Sequence, residues 1–176
     1  MQANRALYAS PAWAGLPPLV TRFGLHCAKV MVGHFGSPER LSYTALGDGV
    51  NLASRLEGLC KQYGLTALVS EAVVQAVGGE FAFRLIDKVA VKGKRQAVRV
   101  FELLGVSATS AEALERARGY EQALETYFAR DFDGALTLLA ARPWDPPSNV
   151  LARRCLALRE SPPSNDWDGV YVATSK

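Results

Sequence analysis

The stretch YTALGDGVNLASRLEGL, residues 43–59, changes from a strand pattern to a helix pattern. LSYTAL, which overlaps its start, predicts a short strand, and the Gly-Asp-Gly that follows predicts a turn. Helical spacing begins near Val50, with Asp48 as the predicted N-cap and Gly64 as the predicted C-terminal stop. The stretch therefore predicts a strand, a turn and an amphipathic helix, in that order.

The predicted helix separates a small polar stripe from an apolar arc. At 3.6 residues per turn, Asn51 and Arg55 lie about 40° apart, with Ser54 and Gly58 on the same side. An asparagine can donate to and accept from a sugar, and the arginine fork suits phosphate oxygens. By themselves these residues fit either a solvated helix face or a site for a sugar phosphate. The residues expected to face a sheet are Leu52, Ala53, Leu56, Leu59 and Cys60.

The segments around this helix alternate between strand and helix patterns from about Leu19 to Gly105. VTRFGLHCAKVMVGHFG predicts two strands with a bend near Ala28, and TALVS predicts a strand that leads into a short helix in SEAVVQAVGG. FAFRLIDKVAVKGKRQAVRVFELLG predicts two antiparallel strands joined at KGKRQ. This order predicts an α+β fold, with a mostly antiparallel sheet covered on one face by helices.

Helical spacing dominates the sequence after the linker VSATSAEALERA. We expect residues 1–106 to form the α+β domain, 107–160 a small α-helical hairpin and 161–176 an extended tail with two prolines. A helical-repeat stack normally needs about three repeats to stand alone, so the hairpin is expected to pack against the domain. The positions with helical spacing are Tyr120, Ala123, Leu124, Tyr127, Phe128, Ala135, Leu138 and Leu139.

Composition excludes several classes of protein. Hydrophobic residues make up 49% of the 176 residues, which suffices for a packed core, and a net charge of +3 does not demand a polyanionic partner. No apolar run approaches the roughly 20 residues that cross a bilayer, and the first residues do not resemble a signal peptide. Three distant cysteines, Cys27, Cys60 and Cys155, predict buried apolar side chains and a reducing cytoplasmic location.

Two other groups of residues are weak candidates for chemistry. His26 and His34 lack a cysteine or carboxylate at metal-ligand spacing, so we expect structural roles for both and no metal site. The basic KGKR segment has no interleaved aromatic residues, so it does not predict a nucleic-acid partner.

The segment GSPERLSYTALGDGVNLASRLE, followed at the right distance by VKGK, resembles the second half of the class III nucleotide cyclase catalytic domain. The resemblance covers roughly residues 15–105 and implies part of a ferredoxin-like domain. It also implies conversion of ATP to cyclic AMP, or of GTP to cyclic GMP, with release of pyrophosphate. Family members form their active sites between two catalytic domains paired head to tail. The helices after residue 106 resemble a tetratricopeptide-like extension.

The resemblance assigns roles to four residues of this chain. Asn51 matches the catalytic asparagine that positions the ribose, and Arg55 matches the catalytic arginine that stabilises charge on the phosphates. Thr44 stands where the family selects the base, which favours ATP as the substrate. Lys92, the first lysine of VKGK, matches a lysine that contacts the triphosphate.

The same resemblance identifies family residues that this sequence lacks. The family uses two metal ions, Mg²⁺ or Mn²⁺, held by two aspartates, yet no Asp or Glu precedes Glu39. The family's Gly-x-His-Thr-Gly segment is here GLHCA, with Cys27 and Ala28 at the altered positions. We therefore expect part of an adenylate cyclase that is inactive alone, whose partners are ATP and a second cyclase domain. The alternative is a noncatalytic nucleotide-binding or dimerisation module. Membrane anchoring of a parent protein through an upstream region stays open.

Overall fold

A computed structural model describes residues 9, 13–17, 19–90, 97–106 and 111–172, apart from the side chain of Glu112. Its strands are β1 (Phe23–Leu25), β2 (Met31–Ser37), β3 (Arg40–Leu46), β4 (Ala67–Ser70), β5 (Phe81–Ala90), β6 (Val98–Val106) and β7 (Tyr171–Val172). Its α-helices are α1 (Asp48–Tyr63), α2 (Glu71–Val77), α3 (Ala111–Phe128), α4 (Phe132–Ala140) and α5 (Pro146–Glu160). A short 3₁₀ turn, Gly78–Glu80, joins α2 to β5.

The strands form two sheets. The larger sheet has the order β1-β4-β6-β5-β7, in which β6 pairs antiparallel with both β4 and β5. β1 and β7 lie at its two ends and pair in parallel with β4 and β5. β2 and β3 form a separate antiparallel hairpin. The predicted α+β fold, the bend near Ala28 and the antiparallel β5–β6 pair are confirmed.

Helix α1 begins and ends at glycines with unusual backbone angles. Gly47 has φ 146° and occupies the N-cap position, and its carbonyl accepts bonds from the amides of Val50 and Asn51. The prediction that Asp48 is the N-cap is therefore wrong, because Asp48 is the first helical residue. Its carboxylate still lies in the first turn, where the helix dipole favours negative charge. Gly64 ends the helix with φ 66°, as predicted.

A single hydrophobic core joins α1, the sheet and the C-terminal helices. Leu56 of α1 and Leu68 of β4 are fully buried in it, together with Ala123 of α3 and Cys155 of α5. Packing of the C-terminal helices against the preceding residues is thus observed. The predicted hairpin is part of a three-helix arrangement, α3–α5, while the boundary near residue 107 stays a prediction.

The C-terminal tail packs along the helices and ends on the sheet. Trp167 contacts the rings of Tyr127 and Phe132 edge-on, with ring centroids 5.2 and 5.8 Å away. Arg130, which has φ 67°, donates to the carbonyl of Pro163 at 2.6 Å. The tail predicted as extended therefore has a packed aromatic anchor, followed by the two residues of β7.

Large apolar side chains remain exposed at the β1 end of the molecule. Among described residues β1 pairs only with β4, and both of its large apolar side chains are exposed. The hairpin adds further exposed side chains on both strands. The exposed apolar residues of β1 and the hairpin are Phe23, Leu25, Met31, Val32, Leu41, Tyr43 and Leu46.

Two cysteines match their prediction and one does not. Cys60 and Cys155 are completely buried, whereas Cys27 is exposed because it lies in the bend between β1 and β2. Within the described ranges, no helix is both long and apolar enough to span a bilayer.

Three buried tyrosines predict a loss of stability at alkaline pH. Burial raises the pKa of Tyr63 and Tyr120, and it raises the pKa of Tyr127 from 10.0 to about 12. Since the folded-state pKa values are higher, the stabilisation is full below about pH 10 and is lost as pH rises through the folded values. We expect the urea midpoint of unfolding to fall progressively above about pH 10.

Urea titrations at several pH values, with tyrosine ionisation followed by absorbance, measure this effect. Tyr127→Phe should make the midpoint less dependent on pH, whereas Tyr43→Phe, at a side chain that is 70% exposed, should leave the dependence unchanged. Equal dependence in both variants would contradict a contribution from the buried hydroxyl of Tyr127.

Candidate functional site

The polar stripe of α1 lies on the exposed side of the helix, as the sequence predicts. Asn51, Ser54, Arg55 and Gly58 are all exposed. Leu52 and Leu56 on the other side are 2% and 0% exposed. Burial of one arc therefore fixes the direction of the other, so the structure brings Asn51 and Arg55 onto one accessible face.

Two glycines allow the backbone of α1 to lie directly on its neighbours. A Cβ on Gly24 of β1 would overlap the carbonyl oxygen of Ala53 and the amide nitrogen of Glu57. A Cβ on Gly49 would lie 2.5 Å from the methyl group of Ala28. The alanine in GLHCA thus packs into the space that Gly49 leaves.

Of the two predicted substrate-binding residues, Thr44 lies within the described residues and Lys92 does not. Thr44 lies exposed on β3, opposite Gly33 of β2, in the strand that leads through Gly47 into α1. Lys92 lies outside the described residues. Asn51 and Arg55 therefore share a helix face, and Thr44 lies on the adjoining strand.

Neither His26 nor His34 belongs to a described group of side chains that could hold a metal ion. The Nδ1 atom of His26 lies 2.7 Å from the hydroxyl of Ser70, a bond that links the ends of β1 and β4. The ring of His34 lies 5.0 Å from that of Tyr43 across the hairpin. In the part of the chain that the structure describes, no three His, Cys, Asp or Glu side chains are grouped to hold a metal ion.

A group that we call the polar junction (Tyr63, Asp87, Arg154 and Tyr171) was not predicted; its first two residues are buried and its last two are half-buried. The Asp87 carboxylate is 1% exposed and accepts a 2.5 Å bond from the Tyr63 hydroxyl. It also pairs with Nη1 of Arg154, whose Nη2 donates to the Tyr63 hydroxyl at 2.8 Å. The Arg154 guanidinium lies 3.5 Å from the ring centroid of Tyr171. The junction thus joins α1, β5, α5 and β7.

Burial opposes the charge of Arg154, but the neighbouring groups outweigh burial. Desolvation acts to lower its pKa, while Asp87 and Tyr63 act to raise it, and the pKa ends above its ordinary value. A charged arginine at this position therefore depends on its two buried oxygen partners.

A second arginine, which is buried, connects the sheet to the start of α5. Arg84 of β5 pairs with Glu102 of β6 at 2.7 Å and with Asp145 at 2.9 Å. Asp145 is also the N-cap of α5, since its carboxylate accepts from the amide of Ser148 at 3.0 Å. Burial raises the pKa of Glu102 despite its arginine partner.

A pocket of about 210 Å³ lies beside Arg84. None of the predicted site residues lines it, so it is separate from the Asn51–Arg55 face. Its lining residues are Arg84, Glu102, Leu104, Ala113, Arg116, Ala117, Trp144 and Asp145.

Comparison with known proteins decides the family. Residues 11–105, more than half of the chain, match the family described as the adenylate and guanylate cyclase catalytic domain. The chain belongs to this cyclase family. The matched residues of the cyclase domain run from before β1 to residue 105, the penultimate residue of β6, and include all of α1.

Curated relatives of this cyclase domain include proteins named adenylate cyclase. It is 46% identical to adenylate cyclase 1 of Rhizobium meliloti (strain 1021) over 93 residues, which are 53% of the chain and 14% of that protein. It is 33% identical to the terminal-differentiation specific adenylate cyclase of Dictyostelium discoideum over 145 residues, 77% of the chain and 7% of that protein. The chain therefore spans a small part of the length of these relatives.

A solved structure supports the fold of the cyclase domain. The adenylyl cyclase CyaB from P. aeruginosa matches with a TM-score of 0.51 and 24% identity, over 62% of this chain and 56% of that chain. The predicted class III cyclase fold is thereby confirmed. The roles of Thr44, Asn51, Arg55 and Lys92 stay predictions.

Substitutions on opposite faces of α1 test its placement in the cyclase domain. Leu56→Ala removes a fully buried side chain and should lower the free energy of unfolding by about 2–5 kcal/mol. Gly58→Ala should raise it by roughly 0.5–1 kcal/mol, because alanine favours the helix. Apart from its chain neighbours and the backbone of the helix itself, no atom of the described residues lies within 4 Å of the position that the new methyl group would take. Urea denaturation followed by circular dichroism measures both changes, and destabilisation by Gly58→Ala would contradict an exposed, uncrowded face.

Proposed function

We propose that this chain is the C-terminal portion of an adenylate cyclase that converts ATP to 3′,5′-cyclic AMP and pyrophosphate in intracellular signalling. The supporting observation is that Asn51 and Arg55 share an exposed face of α1 while its opposite arc is buried. Family membership and the adenylate cyclase relatives support ATP chemistry for that face.

The reaction is an in-line attack of the ribose 3′-hydroxyl on the α-phosphorus, with pyrophosphate as the leaving group. Asn51 holds the ribose through its amide, which can donate and accept. Arg55 donates to the phosphate oxygens as negative charge develops in the transition state. Thr44 accepts from the adenine amino group, and Lys92 binds the triphosphate. These four residues form one half-site.

The side chains of this chain do not fit the family's metal site. Cyclase domains of this class generally use Mg²⁺ or Mn²⁺, which oxygen ligands hold. The first acidic residue of the sequence is Glu39, and the described residues contain no metal-binding cluster. We therefore propose that the carboxylates come from polypeptide other than these 176 residues.

The proposed partners are ATP and a second cyclase domain, either another copy or a complementary chain. A partner domain would cover exposed apolar side chains such as Met31 and Tyr43 of the hairpin, which are 67% and 70% exposed. We also propose a tetratricopeptide-like character for α3–α5 and a cytoplasmic location.

A second candidate function is a noncatalytic module that binds nucleotide or supports dimerisation. The observation that favours it is the exposed Asn51–Arg55 face, whose amide and guanidinium groups can bind a sugar phosphate without the metal-binding aspartates. Such a module would bind ATP or pair with another domain without turnover.

Complementation distinguishes the two functions. The chain alone should produce no cyclic AMP with Mg²⁺ or Mn²⁺. Mixing it with a chain that carries the two family aspartates should give cyclic AMP, measured by chromatography of the products. Binding of ATP without turnover in the mixture would favour the noncatalytic module, and strong turnover by the chain alone would contradict the proposed lack of a metal site.

Arg55 provides a test of transition-state stabilisation in the complemented enzyme. Arg55→Ala should lower kcat by about 10²–10³ while the Kd for ATP changes much less, since the arginine acts on developing charge. Lys61→Ala, which removes an exposed cation from the last turn of the same helix, is the control and should change neither value. Equal losses in kcat and in ATP affinity for Arg55→Ala would contradict the assigned role.

A further inference from the structure

The C-terminal helices contact the helix that carries the proposed half-site. Gly64, the C-cap of α1, lies against the first turn of α5: a Cβ on Gly64 would be 2.6 Å from the Cβ of Pro146. Tyr63, the last residue of α1, is 1% exposed and bonds to Arg154 of α5 through its hydroxyl. The end of α1 is therefore held between β5 and α5.

We infer that Arg154 is a positioning residue for α1, and that the C-terminal helices set the orientation in which Asn51 and Arg55 meet the nucleotide. The inference rests on the proposed function of that pair. Arg154 pairs with Asp87 and donates to the Tyr63 hydroxyl, so it acts on α1 through these two residues.

The position of Tyr63 determines the positions of Arg55 and Asn51 because all three lie on one helix. At about 1.5 Å per residue, Tyr63 lies about 12 Å along the axis from Arg55 and about 18 Å from Asn51. The hydrogen-bonded helix between them is a rigid element, so fixing the buried ring and hydroxyl of Tyr63 fixes the rotation of the whole helix. Displacement of a reacting group by about 1 Å can cost about 10²-fold in rate.

The arrangement of the junction is directional. Arg154 donates to the Tyr63 hydroxyl, which in turn donates to Asp87, while the other Asp87 oxygen accepts from the amide of Lys88 at 2.8 Å. Each hydrogen bond fixes the orientation of the next side chain. The ring of Tyr171, in the C-terminal tail, covers the Arg154 guanidinium. An apolar contact of similar size would hold α1 against β5 but would not specify its rotation in this way.

Similarity to another cyclase extends into these helices. The alignment with the Dictyostelium discoideum adenylate cyclase covers 77% of this chain, which is more residues than 1–105 contain. Part of the helical segment therefore has a counterpart in a protein that also contains a cyclase domain. This agrees with C-terminal helices that act together with the cyclase domain.

Amide hydrogen exchange of the full 176-residue chain, without nucleotide, tests the inference directly. Tyr63→Phe keeps the buried ring and removes only the hydroxyl that joins α1 to Asp87 and Arg154. It should speed exchange in α1 roughly 2- to 10-fold relative to the wild-type chain. Arg154→Gln should have a larger effect on α1, and Arg153→Gln, at an exposed neighbour on α5, should have none.

The comparison between elements decides the outcome. Faster exchange in α1 that exceeds any change in α3, in both junction variants, supports positioning. Unchanged exchange in α1, or an equal acceleration in every element, overturns the inference because Arg154 would then have only a general structural role. If Arg154→Gln fails to fold, Tyr63→Phe still decides.

Activity of the complemented enzyme adds a functional measurement. Tyr63→Phe should lower kcat about 10-fold or more with a smaller change in KM, whereas Arg153→Gln should match the wild-type chain. Wild-type kcat in Tyr63→Phe would overturn the inference while leaving the proposed function intact. A mixture that produces no cyclic AMP with the wild-type chain would instead contradict the proposed function, and the exchange data alone would then show whether the junction positions α1.

Discussion

The close approach of α1 to β1 is the contact on which the candidate site depends. Gly24 has no side chain, so the backbone of the helix at Ala53 and Glu57 lies directly on the strand. Leu56 fills the core beside this contact and is completely buried. Because a helix has only one face available once its opposite arc is packed, this contact directs Asn51 to the surface.

Two arginines, Arg84 and the half-buried Arg154, explain why the C-terminal helices are integral to the packing. Arg84 joins β5 to β6 and to the N-cap of α5, and Arg154 joins α5 to Asp87. Removing one partner from a buried ion pair leaves an uncompensated charge, which typically costs about 3–5 kcal/mol. The helices therefore satisfy charges of the sheet in addition to covering its apolar surface.

The sequence predicted the features that depend on local periodicity. The β5–β6 pair and the two arcs of α1, with Asn51 and Arg55 on the polar arc, follow from spacing alone. The family resemblance added the predicted roles of these two residues. The Asp48 prediction was wrong because the backbone of Gly47 makes the cap, and Cys27 was misplaced because a bend interrupts the alternation of the strand. Sequence periodicity does not predict the polar junction, since its residues come from four separate elements. Asp87, the one acidic residue of β5, was its local signal.

The distribution of buried and exposed surface gives the two sides of the molecule different roles. On the side of β5, helices α3–α5 and the tail cover the sheet, and the buried charges of Arg84, Asp87 and Asp145 are paired. On the side of β1, an end strand and the separate hairpin leave large apolar side chains in solvent. Surface of that kind is characteristic of an interface. A protein segment that completes the proposed site would therefore pack at β1 and the hairpin. The C-terminal helices contact α1 at its other end, where Tyr63 and Gly64 lie against α5.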